Sequence, residues 1–340
     1  MGIFEISGIG TKLGRFLKRF QSCSADERTR DYFRLYVNGL ISNLSRKNCE
    51  AIALQAGVPV RSVQWFLSRQ VWDHERMRNT LQKIIAKKHG GKHSIGIIDE
   101  TSVVKKGDKT PGVQRQYCGT VGKQENCIVT VHLAYAIDDF HAIVDQDLFL
   151  PEAWSNDRER CREAKIPDDI VYRPKWKIAL EQYDRATNNG MVFESLTFDE
   201  AYGGKPEFLR QLDQRKQLFI GEVPCAFYAW SHLPQRFPCA FHATTMKSQK
   251  HGRKRIKPRL VKGQSGTITV KNMLKYSPVL RDQPWVKYYI KDNDKGPVIW
   301  EIKECEIFIR KEEHGMPWDK PLRLIVARNV MNEKEPTIKS

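Results

Sequence analysis

Two segments of similar pattern, one at residues 96–102 and one at residues 196–203, each place an aspartate after a short apolar run. The first reads Gly-Ile-Ile-Asp-Glu-Thr-Ser and contains Asp99, and the second reads Leu-Thr-Phe-Asp-Glu-Ala-Tyr-Gly and contains Asp199. Short runs of apolar, β-favouring residues are typical of buried strands. We therefore expect each aspartate to stand where a strand ends, and a fold that pairs these strands would bring the two carboxylates together.

The chain after Gly91 alternates between strand and helix patterns. We predict strands at 94–99, 114–117, 127–136 and 142–150, with a hairpin turn at 119–123, then a helix at 175–189, a strand at 191–199, a helix at 205–215 and a strand at 218–223. This order indicates an α/β fold with a ribonuclease H-like mixed sheet and flanking helices. In that fold the first strand lies beside the strand at 191–199, so that Asp99 and Asp199 meet.

Residues from about 24 to 88 are predicted to be helical, because apolar residues recur at helical spacing. A helix over 46–57, an Ala-Gly turn and a second helix starting near Pro59 form a helix-turn-helix-like pattern in an all-α N-terminal domain. On the second helix we expect the apolar residues Val63, Phe66 and Leu67 to pack inside. The polar residues expected to reach DNA are Arg61, Gln64 and Arg69. The alternative is an ordinary helical hairpin.

The chain carries a large positive charge, with 57 Lys and Arg residues against 40 Asp and Glu residues and a formal net charge of +17. Such a surplus favours polyanionic partners, because binding releases the counterions of the phosphates. Charge alone leaves open a ribosomal-type or merely soluble basic protein. The apolar share of 40% predicts a packed core rather than disorder.

The densest basic run lies at residues 246–262, inside a stretch at 224–297 where regular patterning weakens. Aromatic residues on both sides of the run suit a surface that follows phosphates and stacks on bases. The alternative is a solvated, mobile loop. The residues of this run that we expect to contact DNA are Lys247, Lys250, Arg253, Lys254, Arg255, Lys257, Arg259 and Lys262.

The sequence lacks the motifs of several other chemistries. It contains no phosphate-binding loop, no Gly-x-Ser-x-Gly, no His-Glu-x-x-His and no Cys-x-x-Cys. The eight scattered cysteines indicate reduced thiols in a cytosolic protein. No apolar run approaches the roughly 18 residues of a membrane span, so we expect no membrane partner. His132, within an alternating strand, is interpreted as structural rather than as a general base.

Two carboxylates on neighbouring strands can hold divalent metal ions against a phosphodiester. The strands fix the positions of the ligands, and short side chains lose little entropy. Taken singly, Asp99 and Asp199 are each better explained as a turn or helix-cap residue. Taken together, in a basic chain with this strand order, they favour a site for Mg²⁺ or Mn²⁺.

Several motifs occur in a fixed order along the chain. They are Tyr36–Leu40 with Asn48–Ala53, Val63–Ser68 with Trp72 and Asp73, Ile98–Thr101 with Lys105–Gly107, Gln116–Lys123, and Phe198–Gly203. Through these motifs, from about Tyr32 to Asn329, the chain resembles the insertion-sequence transposases of the DDE superfamily, and among them the insertion-sequence seven-oh-one group.

The resemblance implies a catalytic domain that uses Mg²⁺, an N-terminal DNA-binding region, and cutting and joining of double-stranded DNA at terminal inverted repeats and target sites. It places Asp99 and Asp199 at the first and second catalytic acids, and it adds Lys105 and Lys106 to the expected DNA contacts. It also implies self-association on DNA and a cytoplasmic protein that is nucleoid-associated when bound.

Members of this family continue past the position of Asn329 into a helix with a third catalytic acid, a glutamate. We assign that role to none of the nearby glutamates, which are Glu301, Glu304, Glu306, Glu333 and Glu335. We therefore interpret the chain as a truncated, impaired copy, and the alternative is a non-catalytic DNA-binding remnant or repressor of the element.

Four regions are expected from these patterns. They are a helical DNA-binding region at 1–90, the first part of the catalytic core at 91–223, a basic insertion at 224–297, and the last core strands with a polar tail at 298–340.

Overall fold

The computed structural model describes residues 9–237, 259–293, 296–311, 315–329 and 338–339. The chain divides into two compact units, one formed by Met1–Gly91 with Asp184–Val192 and the other by Lys92–Tyr183 with Phe193–Ser340. The domain boundaries expected at residues 223 and 297 stay a prediction.

The first unit contains helices α1 (Ile9–Lys18), α2 (Glu27–Ile41), α3 (Cys49–Ala56), α4 (Val60–Arg69) and α5 (His74–His89), with a 3-10 turn at Gln21–Cys23. Their starts follow from local chemistry, because Asp26, Asn48 and Asp73 each cap a helix by accepting a backbone N–H. Gly57, at φ +66°, ends α3 in the left-handed conformation that favours glycine. The two helices of the expected helix-turn-helix-like element are therefore present, and its DNA-binding role stays a prediction.

The packing of α4 corrects one expectation. Val63 and Phe66 are buried, and the rings of Tyr32 and Tyr36 lie 6.3 and 6.0 Å from that of Phe66. Leu67, which we expected to pack inside, is 42% exposed. The tyrosines of α2 cover the face of α4 centred on Phe66, and Leu67 lies outside that narrow face.

The second unit is built on a six-stranded sheet of β1 (Ile95–Val104), β2 (Gln114–Cys118), β3 (Lys123–Ile137), β4 (Phe140–Leu148), β5 (Ser195–Phe198) and β6 (Phe219–Gly221). The strand order is β2-β3-β1-β5-β6, and β4 also pairs with β3. Strands β1 to β4 pair antiparallel, whereas β5 runs parallel to both β1 and β6. The mixed sheet is confirmed, as is the hairpin of β2 and β3.

Five helices accompany this sheet along the chain: α6 (Glu152–Asn156), α7 (Arg158–Glu163), α8 (Lys175–Asn188), α9 (Glu200–Gly203) and α10 (Pro206–Gln214). One face of the sheet is buried through alternate residues such as Ile98 and Leu133. Phe208 of α10 packs edge-to-face on Phe198, with ring centroids 4.9 Å apart. Close approach at β6 requires Gly221, where a Cβ atom would stand 2.0 Å from the ring of Phe198.

The remaining elements are β7 (Tyr228–Ala229), β8 (Arg236–Phe237), β9 (Arg259–Leu260), β10 (Ile268–Thr269), α11 (Val270–Tyr276), α12 (Pro278–Arg281), β11 (Val286–Asn293), β12 (Gly296–Ile307), β13 (Leu322–Asn329) and β14 (Ile338–Lys339). Strands β11 to β14 form a separate four-stranded antiparallel sheet. We expected β12 and β13 to be the last strands of the core sheet, and this is corrected. The backbone of β12 is instead hydrogen-bonded to β11 on one side and β13 on the other. No described helix is both long and apolar enough to span a membrane.

Candidate active site

The parallel pairing of β1 with β5 brings the two aspartates together. Ile98 lies opposite Phe198 as the last pair of this register, so Asp99 and Asp199 are the next residues on neighbouring strands. Neighbouring strands lie about 4.8 Å apart. Asp199 follows the end of β5 as expected, but Asp99 does not end its strand. The β1 strand continues to Val104 because it stays paired with β3, and only its parallel partner stops.

Asp199 is also the N-cap of the short helix α9. Its Oδ1 accepts the N–H of Ala201 at 3.0 Å, and its carbonyl oxygen accepts the N–H of Gly203 at 2.9 Å. Asp199 therefore does act as a helix cap, the role that we weighed as an alternative. The residue as a whole is exposed. Partial burial of its carboxylate raises the pKa of Asp199, the hydrogen bond from Ala201 opposes this, and the negative charge of Asp99 raises the pKa further.

Asp99 lies exposed on β1, and its Oδ1 accepts the backbone N–H of Glu100 at 2.7 Å. His132 stands directly opposite it on β3. Nε2 of His132 lies 2.8 Å from Oγ1 of Thr130, whereas its buried Nδ1 has no hydrogen-bond partner among the described residues. Burial lowers the pKa of His132, and the negative charge of Asp99 opposes this shift.

Two further residues stand beside the aspartates, and sequence reasoning assigned them no role. Glu100 places Oε2 2.6 Å from Nζ of Lys175. Tyr202 is 1% exposed, and burial followed by the charges of Glu100, Asp199 and Asp99 raises the pKa of its phenol. Both lie inside the two matched segments, and the spacing of Tyr202, one helical turn after Asp199, is a signal that could have pointed to it.

Among the described residues, no three His, Cys, Asp or Glu side chains are grouped so that they could hold a metal ion. Glu301 is buried in an ion pair with Arg328 at 2.6 Å, and Glu304 lies 3.6 Å from Arg323. Glu333 and Glu335, to which we also assigned no catalytic role, lie outside the described residues.

The predicted DNA contacts are placed on three parts of the chain. Arg61, Gln64 and Arg69 are exposed on α4, opposite its buried face. Lys105 and Lys106 directly follow β1, the strand that carries Asp99. In the basic run, Arg259 lies in β9 and Lys262 is exposed. The other residues of the run lie outside the described residues, namely Lys247, Lys250, Arg253, Lys254, Arg255 and Lys257.

Comparison with known proteins shows the family to which the chain belongs. Residues 16–293 match the family model described as DDE superfamily endonuclease. The chain is also 30% identical, over 237 residues, to the probable transposase for insertion sequence element IS701 of Microchaete diplosiphon. The matched region covers 69% of this chain and 58% of that relative. The chain therefore belongs to the DDE superfamily of endonucleases.

Proposed function

We propose that this protein is a DNA transposase of an insertion sequence, which cuts and joins phosphodiester bonds at terminal inverted repeats. The observation that carries the proposal is the parallel register that sets Asp99 beside Asp199. The similarity to a probable transposase of insertion sequence element IS701 and the family match support the same reaction class. The net charge of +17 suits a DNA substrate.

The residues present fit a divalent cation such as Mg²⁺ or Mn²⁺, which nucleases of this superfamily typically use. Carboxylate oxygens are the hard ligands that these ions prefer. Partial burial, and after it the negative charge of Asp99, raise the pKa of Asp199, and a dication is complementary to such a pair of carboxylates. When bound, the ion would stabilise negative charge on the phosphate and lower the pKa of the attacking water.

The chain's own contribution is the placement of these ligands. Asp99 would hold the metal from β1, where pairing with β3 fixes its backbone, and Asp199 would hold it from the residue after β5, where the cap of α9 fixes it. The N–H of Glu100 and the N–H of Ala201 each hold one carboxylate oxygen, so the pair is oriented before any substrate arrives. Such preorganisation lowers the cost of reaching the transition state.

DNA would be held by the polar and basic residues named above. We propose that Arg61, Gln64 and Arg69 contact the element ends. Lys105 and Lys106, which follow the strand that carries Asp99, would contact phosphates of the DNA. Joining two ends requires them to be held together, so we propose that the protein self-associates on DNA. Its place of action would then be the nucleoid.

A second candidate, a non-catalytic DNA-binding protein that represses the element, is favoured by one observation. Among the residues that the structure describes, no three His, Cys, Asp or Glu side chains are grouped so that they could hold a metal ion. This candidate predicts DNA binding without cleavage.

The test is nicking of plasmid DNA that carries the element ends, with Mg²⁺ or Mn²⁺. We expect nicking by the unmodified chain and a loss of at least about 100-fold in Asp99→Asn and in Asp199→Asn, because catalysis by metal requires its ligands. Asp139→Asn, at an exposed acid in the β3–β4 turn, is the matched control and should nick normally. Nicking that survives in both site variants contradicts the proposal, and end binding with no nicking supports the repressor.

A further inference from the structure

Tyr202 is a buried tyrosine whose hydroxyl has no hydrogen-bond partner among the described residues. It is 1% exposed and lies in α9, where its backbone N–H donates to the carbonyl oxygen of Asp199 at 3.2 Å. Its ring packs against Phe208, with centroids 5.8 Å apart. The ring alone therefore explains the packing, and it leaves the oxygen atom unexplained.

A buried O–H without a partner destabilises the folded state, and buried polar groups in native proteins are almost always paired. Tyr183 shows the usual arrangement in the same unit, because its hydroxyl donates to Oε1 of Gln217 at 2.9 Å. Phenylalanine at position 202 would fill the same space without this cost. Packing of the core therefore does not account for the hydroxyl of Tyr202, which indicates a hydrogen-bond partner that the core does not supply.

The surroundings of the hydroxyl indicate what that partner is. The charged groups that act on this hydroxyl are the carboxylates of Glu100, Asp199 and Asp99. Ionised carboxylates accept hydrogen bonds but do not donate them. Oε2 of Glu100 is buried in ion-pair contact with Lys175, yet it lacks a well-oriented hydrogen bond. A protonated phenol beside such acceptors can only act as a donor to them.

We propose that Tyr202 is a positioning residue of the metal site, with its O–H held ready to donate to the carboxylates when they take up a divalent cation. This inference rests on the proposed function, since it requires Asp99 and Asp199 to bind that ion. Carboxylates that ligate metals are themselves hydrogen-bonded, and removing such an outer partner typically weakens metal binding 10- to 100-fold. Tyr202 would supply that outer hydrogen bond.

The test is a titration of the full chain with Mn²⁺, in which free Mn²⁺ is followed by electron paramagnetic resonance. For Tyr202→Phe we expect the Kd for Mn²⁺ to rise about 10-fold or more, with a melting temperature equal to or above that of the unmodified chain. In nicking assays the half-saturating Mn²⁺ concentration should rise by the same factor, and excess Mn²⁺ should restore the rate.

Tyr183→Phe is the matched control, because it removes the same atom from a buried tyrosine whose hydroxyl is paired. It should lower the melting temperature and leave the Kd for Mn²⁺ unchanged. An unchanged Kd in Tyr202→Phe overturns the inference while the proposed function stands. A fall in melting temperature as large as that of Tyr183→Phe also overturns it, since the hydroxyl would then be structural. Binding of Mn²⁺ that does not depend on Asp99 and Asp199 overturns both proposals.

Discussion

Replacing Asp199 with asparagine should change the stability of the protein in opposite directions without and with metal. Asparagine caps helices about as well as aspartate, so the hydrogen bond from Ala201 is kept. What is lost is repulsion from Asp99. Two unit charges about 5 Å apart in a water-like medium repel by about 0.8 kcal/mol, and we use this low value because both residues are exposed as a whole.

Without metal at pH 7, Asp199→Asn should therefore be more stable than the unmodified chain by about 0.8 kcal/mol, or about 2–3 °C in melting temperature. The folded state raises the pKa of Asp199, so ionisation of this carboxyl opposes folding. That penalty is present above the folded-state pKa and absent below the unfolded-state pKa. The advantage of the variant should accordingly disappear as the pH is lowered through the pKa of Asp199.

With Mn²⁺ the order should reverse. A ligand at 100 times its Kd stabilises the folded state by about 2.7 kcal/mol, and the variant lacks one of the two carboxylates that would bind it. The assay is thermal unfolding with a chelator and with saturating Mn²⁺, and Asp139→Asn serves as the control that should follow the unmodified chain in both. Two results would refute this expectation. One is a lower melting temperature for Asp199→Asn than for the unmodified chain in chelator. The other is a rise in melting temperature on adding Mn²⁺ that is as large for Asp199→Asn as for the unmodified chain.

Three other predictions concern packing, capping and DNA contact. Gly221→Ala should destabilise the second unit by about 1–3 kcal/mol in urea unfolding, since the new Cβ would stand 2.0 Å from the ring of Phe198, whereas Gly266→Ala, with nothing within 4 Å, should be nearly neutral. Asn48→Ala should cost about 1 kcal/mol in the same assay, because α3 loses its cap. Arg61→Ala should weaken binding to element-end DNA and reduce the salt dependence of log K by about 1 in filter binding.

Each of these has a result that would count against it. Equal unfolding midpoints for Gly221→Ala and Gly266→Ala would mean that β6 adjusts around Phe198. A neutral Asn48→Ala would mean that the cap seen at α3 does not contribute to stability, and Gln55→Ala, at an exposed position of the same helix, sets the baseline. An unaltered salt slope in Arg61→Ala would remove α4 from the DNA-binding surface.

The sheet and the meeting of the two aspartates followed from local patterns. Apolar runs before Asp99 and Asp199 predict strands, and the order of strands and helices predicts that those strands are neighbours. The predicted end of β1 was wrong by several residues. The length of a strand depends on its partners, and β3 continues to pair with β1 after β5 has ended. A single sequence carries no direct signal of where a partner ends.

Other features depend on contacts that a pattern along the chain does not reveal. Leu67 fits the apolar stripe of α4, but its exposure is decided by how far the tyrosines of α2 extend. The separate sheet of β12 is set by pairing with β11, from a stretch whose own pattern is weak. The unpaired hydroxyl of Tyr202 is visible only when its surroundings are known.

We propose that Asp99 and Asp199 hold the metal that acts on the phosphodiester. Asp99→Cys tests it most directly, because a thiolate is a poor ligand for Mg²⁺ and a better one for softer ions. In nicking of element-end DNA, we expect this variant to be inactive with Mg²⁺ and to regain activity with Mn²⁺, while the unmodified chain nicks with both. Full activity of Asp99→Cys with Mg²⁺, or no nicking by the unmodified chain with either ion, would contradict the account.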